Sequence, residues 1–375
     1  MRVQFKKIFV FFGALAASIC YQNCSAGFST MDSVSSISSL SSTAPTPVPI
    51  PIGSPKSVNM VLLYGDSDTT TLSCDGGSTW AYHSFNPNHL HDGDGAYSST
   101  SLTYSNNYMY LMKGWGGAQP TVSRSSDGIN WETVYQFPVN YFYSALEVLG
   151  NIMIVADGES FVRSTDSGQS FSPLPFTGGS RHLHTLKYDH NGTKILMIGD
   201  GIISASNDLG LSWVVSYAPL ANETSCASDV EYGAGILVAM GSQGDVCQST
   251  DDGNTWNRIG KLDGGFENHK VVWTGAKFVA YPANQSHAFE SSDGKIWNSF
   301  PLVNITPYNQ SVFFYDSVAK MYFAYGYMNT FFKSLDGFTW MPLPASAQPP
   351  TQGGTEYMEL FARGQMTIPA GHPCY

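Results

Sequence analysis

Charged residues are scarce in this chain of 375 residues: Asp, Glu, Lys and Arg together make up only 13% of it. Helix formers such as Lys and Glu are thin on the ground, and no long stretch after the N-terminus repeats apolar residues every 3.6 positions. A mainly helical fold is therefore not expected. Positive charge is scarcer still, with 18 Lys and Arg against 29 Asp and Glu and a formal net charge of −11. Removing residues 1–23, which carry Arg2, Lys6 and Lys7 and no acid, takes the charge to about −14. Such a field repels a phosphate backbone, so no nucleic-acid partner is expected, and it disfavours an anionic membrane surface equally. The longest apolar run, Ile8 to Ile19, falls short of the ~20 residues that a spanning helix needs.

Aromatic residues, by contrast, reach 14%, and there are 37 glycines. Many half-buried strands joined by many tight turns produce that profile, and a chain of this length can form one large all-β domain. The basic start and short apolar run read as an export signal over residues 1–23. The segment Tyr21-Gln22-Asn23-Cys24 resembles a bacterial lipoprotein signal, with Cys24 as the lipidated residue, although Asn23 stands where a small residue is usual. Cys20 after Ile19 is the other candidate, and ordinary cleavage near Ala26 would instead leave a secreted protein. Residues 24–57 are rich in Ser, Thr and Pro and cannot bury enough apolar surface to offset their ordering entropy, so they read as a tether.

From residue 58 to 375 one pattern recurs seven times. It is Ser-x-Asp-x-Gly-x-Thr-Trp, as in Ser249-Thr250-Asp251-Asp252-Gly253-Asn254-Thr255-Trp256, or a form one residue shorter, as in Ser125-Ser126-Asp127-Gly128-Ile129-Asn130-Trp131. The aspartates are Asp75, Asp127, Asp166, Asp208, Asp251, Asp293 and Asp336, spaced 52, 39, 42, 43, 42 and 43 apart. A period near 42 is one four-stranded propeller blade. Gly supplies the positive φ of a hairpin turn, and Asp and Ser side chains can bond the turn backbone. The closing Trp or Phe is expected to pack into its blade. Six of the eight tryptophans are spent in this way.

The pattern resembles the Asp-box, or BNR, repeat, and seven copies in register imply a seven-bladed β-propeller. Blade one lacks a first strand, and Tyr357–Phe361 at the C-terminus is the expected substitute, which would close the ring and remove its open edge. Four cysteines lie in the repeat region and allow three pairings. Cys74 with Cys374 would pin the C-terminus to blade one, and Cys226 with Cys247 would link positions in one blade; an exported chain permits both bonds.

Propellers bind ligands mostly on the face that carries the strand 4–1 and 2–3 loops. Surplus length on that face falls at blade two, in two segments that contain His89, His91, Asp92 and Asp94, and Trp115. The four polar residues are candidate metal ligands, with calcium the ion that Asp92-Gly93-Asp94-Gly95 points to; a polar surface loop is the plainer reading. Trp115 is a candidate for stacking on a sugar or a partner side chain, or for packing. His182 and His184 lie two apart on a predicted strand and so face the same way, at the top of a first strand, with Arg181, Asp229, His269 and Lys270 at similar positions, as a candidate ligand pocket at the channel mouth or as solvated neighbours. No cofactor is implied.

Asp-boxes are shared with sialidases, but these are six-bladed and use three arginines, a Tyr–Glu pair and an Asp. The arginines after the signal are Arg124, Arg163, Arg181, Arg258 and Arg363, and Arg124 and Arg163 adjoin boxes on the wrong face. Xyloglucanase-type glycosidases set two aspartates between two propellers, and one is present here. The overall form is similar to propellers of the photosystem II assembly factor type, whose arginine-rich patch this acidic chain lacks. The resulting expectation is a monomeric, non-catalytic propeller, secreted or held at the cell envelope, that recognises a protein or a glycan. The alternative is a glycoside hydrolase using carboxylates at the channel mouth.

Overall fold

In the computed structural model, the described residues are 54–65, 69–84, 99–113, 119–138, 144–158, 160–175, 183–189, 191–199, 201–220, 223–241, 243–262, 270–282, 286–305, 312–326, 330–348 and 358–375. Among them stand seven four-stranded antiparallel sheets. The first strands of the blades neighbour one another in order around a ring: Ser99–Ser105, Ser144–Leu149, Leu183–Tyr188, Asp229–Gly233, Lys270–Trp273, Val312–Asp316 and Met358–Ile368. The protein is a seven-bladed β-propeller. Its candidate signal, Cys24 and the Ser/Thr/Pro-rich tether lie almost wholly outside the described residues.

Ring closure follows the expected route, with a longer strand than Tyr357–Phe361. Met358–Ile368 is the innermost strand of blade one and pairs with Lys56–Gly65 from Lys56 opposite Ile368 to Gly65 opposite Met358. The cysteines pair as expected, Cys74 with Cys374 and Cys226 with Cys247, at Cα separations of 5.4 and 5.8 Å.

The repeated turns sit between the third and fourth strand of each blade, and their hydrogen bonds are local. In blade five, Ser249 Oγ donates to Asp251 Oδ1 (2.8 Å) and accepts from the Gly253 N–H (2.8 Å). Thr255 donates its N–H to Oδ1 (2.9 Å) and its hydroxyl to Oδ2 (2.6 Å). The Ser-to-Asp bond recurs in all seven blades. Hydrogen bonds to the ionised form hold these carboxyls acidic: the Ser170 hydroxyl and N–H bring Asp166 down to about 2. Gly253 has φ +81°, and a Cβ there would lie 2.9 Å from Leu196 Cδ2 of blade four. Asp208→Ala is expected to lower stability by about 1–3 kcal/mol, because the Ser206 hydroxyl and the Ser212 N–H and hydroxyl lose their acceptor. An unchanged thermal unfolding midpoint would refute this role.

The closing aromatics pack into their own blades and also reach back to the preceding one: Trp340 lies 5.5 Å from Phe313 of its own blade and 6.3 Å from Tyr281 of blade six. Trp80 meets Phe323 of blade seven edge-on at 5.4 Å, Trp131 meets Tyr64 of blade one at 6.4 Å, and Trp213 meets Phe161 of blade three at 6.0 Å. Adjacent blades present their apolar faces to one another, so the interior is a set of inter-blade cores rather than one central core. The turn aromatic is therefore mortar between blades.

Candidate functional site

An innermost strand has one sheet neighbour and turns its other edge to the ring axis, so its backbone groups on that side need partners. Its side chains alternate. One set is apolar and packs against the preceding blade: Leu102, Leu146, Leu186, Val230, Val271 and Phe313 are all buried at matching positions. The intervening set is not dictated by a core. Its members are Thr103, Glu147, Lys187, Glu231, Val272 and Phe314 in blades two to seven, and they line an axial cavity of ≈ 420 Å³. Two positions earlier, at the ends where the 4–1 connections enter, Ser101, Thr185, Asp229 and Lys270 line the same cavity. Chain direction places the repeated turns at the far end of the blades.

The wall has two halves. Blades three to six contribute the charged groups. Lys187 Nζ donates to Val230 O (2.7 Å) and to Glu231 Oε2. Asp229 Oδ2 accepts the Val271 N–H (3.1 Å), and the Glu147 carboxyl accepts the Tyr188 N–H. Each thus reaches forward to the free edge of the next blade. Ser101 Oγ does the same for the Leu146 N–H (3.1 Å) with no charge at all. The other half is aromatic: Phe314 and Phe361 stack at 5.5 Å, and Tyr315 and Trp273 adjoin them.

Enclosure sets the electrostatics. Burial pushes the Glu147 carboxyl up to about 8, against the pull of the Lys187 ammonium and the Tyr188 N–H. Burial also raises Glu231, with Lys187 pulling the other way. For Lys187 burial acts downward, but the attraction of Glu231 and Asp229 outweighs it and holds the ammonium charged. The side chains of Lys187 and Glu231 remain 35% and 25% exposed, so water reaches them along the axis. A wall of this kind can orient a polar or charged group on one side and hold an apolar one on the other.

Of the residues singled out from sequence, Asp229 and Lys270 are brought together here. His184 lies on its innermost strand at a bulge between Leu183 and Thr185, which interrupts simple alternation, and its side chain is outside the described set. Arg181, His182, His269, Trp115 and the loop with His89, His91, Asp92 and Asp94 also lie outside the described residues. Among the described residues no group of three His, Cys, Asp or Glu is placed to hold a metal ion. Sequence reasoning passed over Glu147, Lys187 and Glu231. The signal was present in Asp229-Val230-Glu231, since residues two apart on one strand share a side.

No protein-family model matches this chain, and no curated protein matches it. Several solved structures are similar in fold. A virginiamycin B lyase from Staphylococcus aureus has a TM-score of 0.54 at 12% identity, covering 74% of this chain and 97% of that one. A putative 6-phosphogluconolactonase from Bacteroides fragilis has a TM-score of 0.54 at 11% identity, covering 82% and 98%. YCF48 from Cyanidioschyzon merolae has a TM-score of 0.48 at 15% identity, covering 74% and 94%. At these identities the likeness shows the propeller fold alone.

Proposed function

We propose that this chain is a non-catalytic binding propeller of an exported compartment, which takes a segment of a protein partner into the axial cavity from the 4–1 and 2–3 loop face. The carrying observation is the two-sided wall: edge pairing needs only a hydroxyl, as Ser101 demonstrates, yet Lys187 and Glu231 place charges there, and Glu147 an ionisable carboxyl, at a desolvation cost. The two disulfides fit an oxidising environment. Among the described residues no helix is long and apolar enough to cross a membrane. Cleavage after residue 23, lipid attachment at Cys24 and a tether to residue 57 would hold the propeller off an envelope surface. Asp-boxes then serve as blade turns, while Trp115 and the segment from His89 to Asp94 extend the binding face.

The test is a photoreactive benzoyl-phenylalanine at position 314 in the full chain, with position 211, on a repeated turn, as control. Defined protein adducts from 314 and none from 211 support the reading; adducts from neither refute it. Glycan-array binding lost in Trp115→Ala would move the ligand class to sugars. A second reading, glycoside hydrolysis, draws support from one observation: a carboxyl held protonated near neutral pH, Glu147, faces the same cavity as a second carboxylate, Glu231. Turnover of a glycoside that disappears in Glu147→Gln would favour it over binding alone.

A further inference from the structure

We infer that the axial cavity is a receptor for a cationic group on an apolar stem, an amine or a basic side chain, held between Glu147 and Glu231 on one wall and Phe314 and Phe361 on the other. This rests on the binding reading above and names its ligand class. The cavity, ≈ 420 Å³, is large enough for such a group. Three acids, Glu147, Asp229 and Glu231, face two bases, Lys187 and Lys270. Lys187 is already committed to Glu231 and to Val230 O, which leaves little for an anion to bind. The chain's net charge of −11 draws cations and repels anions. Phe314 and Phe361, stacked on one another with Phe361 also against Phe323, offer the stem an apolar wall.

Glu147 then has a definite part. The groups acting on it are Lys187 and the Tyr188 N–H from blade four and Glu231 from blade five, and burial, together with the Glu147 charge, raises the Tyr188 hydroxyl, which stays protonated near neutral pH. Blade two offers Thr103, which carries no charge. With its proton on, Glu147 leaves the five groups electrically balanced. An arriving cation favours the ionised form, so the carboxyl O–H bond breaks and the proton passes to solvent. Folded-state proton affinity above the ordinary carboxylate range means that binding must work against that proton below about pH 8, the value for Glu147, and is easier above it.

The experiment is calorimetric titration of the full chain with 2-phenylethylamine from pH 6 to 8.5, with 2-phenylethanol and 3-phenylpropionate as uncharged and anionic counterparts. The amine should bind at least about tenfold more tightly than either, and its affinity should rise with pH, by up to about tenfold per unit on the acid side. Repeating the wild-type titration in buffers of different ionisation enthalpy should show proton release near neutral pH. In Glu147→Gln both the pH slope and the proton release should vanish while the unfolding midpoint holds. Equal binding of the alcohol, tighter binding of the acid, or no proton release from wild type would overturn the inference. Protein adducts from position 314 without amine binding would leave the binding reading standing and remove only this one.

Discussion

Cys374→Ser is expected to destabilise the propeller more than any other single substitution considered. The bond from Cys74 spans 300 residues and seals the one blade that is assembled from both ends of the domain. In the chain-entropy account a closure of that length is worth about 5–6 kcal/mol, and the bond within blade five, spanning 21 residues, about 3 kcal/mol. The native contacts around Cys374 favour the larger effect. Its N–H donates to His372 Nδ1 (3.0 Å), and His372 Nε2 lies 2.9 Å from Asp127 O, so the tail is anchored to blade two as well. Guanidinium unfolding of Cys374→Ser, Cys74→Ser and the double variant should give one common loss, and Cys226→Ser a smaller one. A closure loss no greater than that of Cys226→Ser would mean that strand pairing, not the covalent bond, holds the ring shut.

The second large effect is expected from Asp316→Asn. At the position where blades two, four, five, six and seven carry Tyr104, Tyr188, Tyr232, Trp273 and Tyr315, blade one carries Arg363. Its guanidinium donates through Nε (2.6 Å) and Nη2 to Asp316 Oδ2 in blade seven, and through Nη2 to Gly76 O (2.8 Å). The side chains of Arg363 and Asp316 are only 14% and 1% exposed. Asp316 Oδ1 accepts the N–H groups of Val318 and Ala319, so both carboxylate oxygens are engaged. Neutralising the acid leaves an enclosed cation without its counter-charge, a loss of about 3–5 kcal/mol. Arg363→Met in the same chain removes that orphaned charge, and the double variant should recover part of the loss in urea unfolding. A double variant worse than the sum of the singles would disprove the pairing as the cause.

The two clamps lie at one seam, between blades seven, one and two. That is where a propeller differs from its own repeat, because the last blade has to be made from distant ends of the chain. The other inter-blade contacts reuse a common device, a turn aromatic reaching back and a strand side chain reaching forward.

Much of this was legible in the sequence because the bonds involved are short in chain distance. Ser249, Asp251, Gly253 and Thr255 satisfy one another within seven residues, so the turn announces itself wherever the pattern occurs. The period between turns sets the blade, the number of turns sets the ring, and the missing first strand of blade one points to the C-terminus. Alternation within Asp229-Val230-Glu231 also marks which side chains leave the core. The direction of the turn aromatics was not legible, since packing within a blade and across to its neighbour obey the same local pattern.

The axial site belongs to the tertiary structure. Glu147, Lys187 and Glu231 are separated by 40 and 44 residues, and Phe314 and Phe361 by 47 more. Nothing local ties them together. They share a cavity because seven blades of one topology close into a ring, and closure turns one position of the first strand in blades two to seven toward a common axis, where Phe361 of blade one meets Phe314. The turns, the blade count and the closing strand come from covalent neighbours and hydrogen bonds a few residues long. The charged wall, the aromatic wall and the Arg363–Asp316 clamp come from closure, which decides which distant side chains must share a space.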